Sequence, residues 1–197
     1  MAKIFDDILV QGVRKGQIPA RTQGARDWFR DKARSTRNAF AYPANILKTS
    51  EGEKPRVGPG RMLHFYYDPK TKQQLPYYDR FPLVFHAGDA KGGFYGLNLH
   101  YLPPQLRAAL MDNLYDITSN KRYDETTRLR LSYGVLKGVS KYRYFKPTFK
   151  HYLMDHVKSK FIEINSTEWD IALFLPTERF EKAGKSTVWA DSRKMIT

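Results

Sequence analysis

The 197-residue chain has no cysteine. That excludes disulfides and thiolate metal sites, and it leaves the redox compartment unread. No apolar run approaches the roughly 18 residues of a span, so no membrane-crossing segment is expected. The opening stretch MAKIFDDILVQGVRKGQ lacks the apolar core and small-residue cleavage site of a signal peptide. The expectation is a cytosolic product, or a particle assembled in the cytosol. Acids are scarce too: 20 Asp and Glu stand against 34 Lys and Arg, giving a formal net charge of +14 and a pI near 9.9. Aromatics, by contrast, make up 14 % of residues, too many for a disordered tail. A basic, aromatic-rich domain most simply meets a polyanion: nucleic acid, an acidic membrane or an acidic protein. The alternative is a solvated basic surface with no such partner.

The length suits one domain, or one domain carrying an arm. Ile4, Phe5, Ile8 and Leu9 recur at helical spacing and predict a short amphipathic helix over 3–15. A second helix is expected from Thr22, a fair N-cap, to about Ser35. TSEGEKPRVGPG is polar and rich in glycine and proline, and reads as an exposed linker. The chain thus divides into an N-terminal arm and linker, 1–59, and an α+β globular domain, 60–197.

Within that domain RMLHFYY predicts a strand and DPKTKQQ a turn. LPYYDRFPLVFH resumes an extended run whose prolines point to an edge strand or to strand ends. AGDAKGG reads as a second turn. FYGLNLHYL predicts a third strand, with Phe94, Gly96, Asn98 and His100 on one face and Tyr95, Leu97, Leu99 and Tyr101 on the other. Pro103 and Pro104 then open a helix burying Leu106, Leu110, Leu114 and Ile117. Gly92, Gly93 and Gly96 allow turning or close backbone approach, so packing explains most of this stretch. Further on, helices are expected over 126–137 (Leu129, Tyr133 and Leu136 inward) and 148–158 (Phe149, Leu153 and Val157 inward). KFIEIN and WDIALFLP read as strands, the second buried on both faces. TERFEKAG reads as a short closing helix capped by Thr177 and stopped by Gly184. Together these give α+β: about five strands in a small antiparallel sheet or partly closed barrel, covered by three to four helices, with an extended helical arm.

Catalytic signals are weak. His64, His86, His100, His151 and His156 form no helical i, i+4 pair of the zinc-protease kind, so hydrogen-bonded structural histidines are expected rather than metal ligands. A two-metal nuclease would need converging carboxylates. The candidates are Asp68, Asp79, Glu163 and Asp170, but FIEIN has Asn165 where an acid-x-lysine motif needs lysine, and turns explain Asp68 and Asp79. No catalytic residue, metal or cofactor is assigned.

The basic segments say more. Lys121 to Lys160 hold eleven Lys or Arg against three acids, a balance of +8. Within it KYRYFKPTFKHY interleaves cations with aromatics, which suits phosphate neutralisation and stacking on exposed bases. The same pattern also fits Tyr142, Tyr144, Phe145 and Phe149 as core anchors with a solvated cationic flank. Arg128, Arg130, Lys137, Lys141, Arg143, Lys146 and Lys150 are the candidate phosphate contacts, followed by Arg26, Arg30 and Arg34 of the arm. Such arms also dock on neighbouring subunits, ordering on assembly.

GRMLHFYYDPKTKQQLPYYDRFPLVF, GFYGLNLHYLPPQLRAALMD and STEWDIALFLPTERF resemble a family of small virion proteins of T-even-like tailed bacteriophages, including cyanophages. ILVQGVRKGQIPARTQGARDWFRDKA resembles the same family's N-terminal arm. Its members are often named DNA end protector proteins or virion structural proteins. The resemblance implies a virion protein, assembled in the host cytoplasm, that binds the packaged genome's end and shields it from host exonuclease. It carries no residue-level site.

Three functions are therefore weighed. The first is a non-enzymatic virion protein contacting double-stranded DNA or its exit channel, with the arm reaching other phage structural subunits. The second is an assembly subunit of the tail baseplate or neck whose positive charge meets acidic neighbours. The third is a metal-dependent nuclease for head completion.

Overall fold

A computed structural model describes residues 53–54, 58–103, 106–107, 110, 114, 117, 120, 122–139, 143–166, 169–174 and 177–196. The arm helices expected at 3–15 and 22–35 lie outside the described residues. Strand β1 covers Glu53–Lys54, β2 Met62–His64, β3 Tyr78–Asp79, β4 Leu83–Ala90, β5 Gly93–Asn98, β6 Phe149–Leu153, β7 Phe161–Ile164 and β8 Phe180–Glu181. Helix α1 covers Glu125–Val139, α2 Trp169–Phe174 and α3 Lys185–Ile196. Leu106, Arg107, Leu110, Leu114 and Ile117 are also helical.

The class is α+β. The main sheet runs β1-β7-β2-β4-β5-β6, all pairs antiparallel, and β3 with β8 makes a separate two-stranded sheet. The sheet is open, so of the two forms expected it is the antiparallel sheet and not the partly closed barrel. β1 and β6 are its edges, and the two residues of β1 offer too short a ladder to close it.

Alternation along the strands builds a core on each face. Met62, Phe85, Leu97, Ile162 and Ile164 face Leu110, Leu114, Leu129, Leu136, Trp169 and Leu173. Leu63, Phe65, Val84, Phe94, Tyr152 and Phe161 form the other cluster, mostly aromatic rings meeting edge to face. That double burial is why β2 and β4 lack polar alternation. The β4–β5 hairpin turns at Lys91 and Gly92, where Gly92 takes φ +72°. At Gly96 a Cβ would collide with Val84 Cγ1, so glycine is required for packing rather than for turning.

Several expectations are corrected. Glu53 and Lys54, placed in the linker, pair with Ile162 and Phe161. The turn read at AGDAKGG is narrower, because β4 continues to Ala90 past a bulge between His86 and Gly88. β5 stops at Asn98, and a 3₁₀ turn over Leu99–Tyr101 follows. The helix expected over 148–158 is β6 and a 3₁₀ turn at Met154–His156. Phe149, Lys150, His151 and Tyr152 alternate outward and inward, and the open edge of β5 accepts them. WDIALFLP is helix α2, not a strand, with Trp169, Ala172 and Leu173 buried at helical spacing. A short apolar run does not by itself distinguish the two. TERFEKAG holds β8, and the closing helix begins only at Lys185.

Candidate nucleic-acid interface

Helix α1 carries part of the expected basic surface. Asp124 caps it, its Oδ1 accepting from Thr127 N at 2.7 Å. Burial of Leu129, Ser132 and Leu136 turns Arg130, Gly134 and Lys137 outward, where all are exposed. Arg128 bends back instead. Its Nη2 donates to Asn120 O at 3.2 Å and its Nη1 lies 3.7 Å from Glu125 Oε2, leaving its side chain 15 % exposed. Arg128 therefore anchors the entry to α1 as much as it offers charge.

The 3₁₀ segment Arg143–Thr148 leads into β6 and holds Lys146 in the open. Arg143 lies in the same segment. Lys150 is half-buried on β6, with Nζ 4.2 Å from the centroid of the Tyr101 ring. Burial lowers its pKa to about 8. Lys141 and the arm residues Arg26, Arg30 and Arg34 lie outside the described residues. The described ones among the expected cations thus fall on α1, on the 3₁₀ segment and on β6, with Arg128 and Lys150 less open than Arg130, Lys137 and Lys146.

The β6 edge also carries exposed aromatics, of which Phe149 belongs to the segment read as able to stack on bases, while Tyr95 was not linked to it. Tyr95 and Phe149 are 40 % and 43 % exposed, with ring centroids 5.2 Å apart and planes 20° apart. His151 lies opposite Tyr95 in the ladder, its ring centroid 5.2 Å away. Reading residues 148–158 as a helix put Phe149 inward. The alternation FKHYL was the available signal.

A second constellation is buried. Asp79 Oδ2 accepts from His100 Nδ1 at 2.6 Å and from Asn98 Nδ2 at 3.2 Å, and Oδ1 accepts from Phe81 N and Arg179 N, each at 3.1 Å. The Thr177 hydroxyl sits 3.1 Å from His100 Nε2 and 3.4 Å from His64 Nε2. His64 Nδ1 donates to Pro82 O. Arg107 donates to the carbonyls of Leu102, Leu173 and His100, and Trp189 Nε1 also donates to His100 O. Burial pushes the Asp79 carboxyl up, but the adjacent His100 and the other donors more than offset this, and its pKa is lowered. Burial, then the charge of His100, pulls His64 down to about 3. Burial lowers Arg107 to about 10.

Thr177, His100 and Asp79 stand in the order of nucleophile, base and orienting acid. Yet Thr177 and His100 are 0 % and Asp79 3 % exposed, so a substrate has no approach to them in this fold. What the cluster does is join β2, β3, the end of β5 and the segment before β8, by polar groups that satisfy one another. Three of the four nuclease candidates are engaged separately, and the side chain of Asp170 lies outside what is described. Asp68 pairs with Lys72, Asp79 with His100 and Glu163 with Arg61. Among the described residues no group of three His, Asp or Glu side chains is placed to hold a metal ion.

The sequence profile of the family described as Phage T4 terminal DNA protecting protein matches residues 5–194. The chain belongs to this family. The match runs over nearly the whole chain, and it agrees with the motif resemblance. No curated protein and no solved structure matches the chain. The family is one of phage proteins described as protecting terminal DNA, not a family of enzymes. Among the described residues no helix is long and apolar enough to cross a membrane.

Proposed function

We propose that this chain is a non-enzymatic virion protein that holds the end of the packaged genome, or the DNA in its exit channel, by phosphate contacts. The observation that carries the reading is the exposure of Arg130, Lys137 and Lys146 within a segment of balance +8, in a chain of the terminal DNA protecting family. Arg128, Lys141, Arg143 and Lys150 are further candidate phosphate contacts, followed by Arg26, Arg30 and Arg34 of the arm. Such contacts position DNA without reading sequence, which suits a protein that must accept one end irrespective of its bases. The arm, the part of residues 1–59 that precedes β1, reaches neighbouring phage subunits. The family match begins at residue 5, so the arm is a family feature rather than an appendage.

The test is binding of the full chain to linear duplex DNA across a salt series. Affinity should fall steeply with salt, and replacing Arg130, Lys137 and Lys146 together by Gln should flatten the log–log slope by about one per cation removed. Salt-independent binding, or none, would refute the reading.

A further inference from the structure

We propose that Tyr95, Phe149 and His151 form a stacking platform for the exposed terminal base of linear DNA. This deepens the DNA-end reading and rests on it. The β5–β6 register sets Leu97 opposite Phe149 and Tyr95 opposite His151. All four side chains share one face, and towards the β6 edge that face is left open. The reverse face of the same strands is closed: Phe94 and Tyr152 are 3 % and 4 % exposed. One pair of strands therefore buries aromatics on one side and shows them on the other.

The surroundings argue for what the platform takes. On β4 the residue opposite Tyr95 is Gly88, which adds no side chain over the rings. Beyond it Tyr133 places its hydroxyl 3.8 Å from where a Gly88 Cβ would sit. Arg130 and Lys137 lie one turn to either side of Tyr133 on α1, so they flank that border. Lys146 is exposed three residues before Phe149. Asp89, next to Gly88, belongs to the other face and lies 3.7 Å from His86. Open rings bordered by cations complement a base carried on phosphates. Within a duplex each base face is covered by its neighbours, and only the last pair offers a free one. A stacking platform therefore distinguishes an end from the interior, which phosphate contacts alone do not.

The same rings would also form a cross-strand aromatic pair that serves only the sheet, and the test separates these roles. It uses the full chain, duplexes carrying 2-aminopurine at the terminal or at an internal position, and a covalently closed circle as competitor. Binding should change the fluorescence of the terminal probe and not of the internal one. Tyr95→Leu with Phe149→Leu should weaken binding to free ends about tenfold, leave affinity for the circle and the salt slope unchanged, and remove the probe response. Phe149→Trp should retain it. If ends bind with salt sensitivity but the two probes respond alike, or the leucine variant binds ends as the parent does, the platform is wrong and the phosphate reading stands. If the parent binds neither ends nor circles, both fall together.

Discussion

The buried cluster around Asp79 and the open edge around Phe149 use the same kinds of side chain to opposite ends. Both combine histidine, aromatic rings and cations. In the first, His100 and Thr177 are sealed and every near neighbour is a partner, so charge and hydrogen bonds are spent on holding chain segments together. In the second, Tyr95 and Phe149 keep 40 % and 43 % of their surface, and Arg130 and Lys137 on α1 and Lys146 before β6 are exposed as well. The sealed set has the residue order of a catalytic site and the role of a joint. Access, rather than residue type, separates the two.

The comparison breaks most visibly if the sealed cluster is cut. Asp79→Ala removes the acceptor for His100, Asn98, Phe81 N and Arg179 N. A loss of about 3–5 kcal/mol is expected, because a buried pair is left half-made. Urea unfolding monitored through Trp fluorescence measures it, and a loss under 1 kcal/mol would show the cluster to be incidental.

Acid should act next. His64 is held at about 3 against 6.5 in an unfolded chain, so between those values the unfolded state binds more protons. Its contribution is fully present above about pH 6.5 and is lost as pH falls towards 3, at up to about 1.4 kcal/mol per pH unit. Asp79, also lowered, adds a loss at still lower pH. His64→Phe should retain the stack on Phe81, whose ring centroid is 4.5 Å away, and flatten the dependence of Tm on pH between 7 and 5. An unchanged dependence would remove His64 from the explanation.

A smaller effect distinguishes the two α1 arginines. Arg128→Gln should cost about 1 kcal/mol, since it frees Asn120 O and Glu125. Arg130→Gln should change stability by less than about 0.5 kcal/mol while weakening DNA binding. The reverse pattern would exchange their roles.

How much of this was legible in the sequence differs between the two regions for physical reasons. Leu129 and Leu136 marked α1 because a helix with one wet face keeps its period. Met62–His64 and Phe161–Ile164 were legible as strands from their β-rich composition. Trp169–Phe174 was not, because a run of six mostly apolar residues is too short to show whether its period is that of a helix or a strand. β6 was lost for another reason: five residues with cations between aromatics fit either period, and the open edge of β5 decides. The basic surface could be named from charge alone. Which cations stand open, and the pairing of Tyr95 with Phe149 across more than fifty residues of chain, depend on ladder register and on that edge. The sealed cluster gathers Asp79, His100, Thr177 and Arg107 from separate segments, and no spacing announces it.

The most direct test of adhesion to DNA ends is protection of linear duplex from a processive double-strand exonuclease. The full chain is compared with the Arg130→Gln, Lys137→Gln, Lys146→Gln variant at matched concentration. The expected result is a block by the parent that weakens as salt rises, and a much reduced block by the equally stable variant. Equal protection by both proteins, or digestion proceeding unhindered past the parent at low salt, would contradict it.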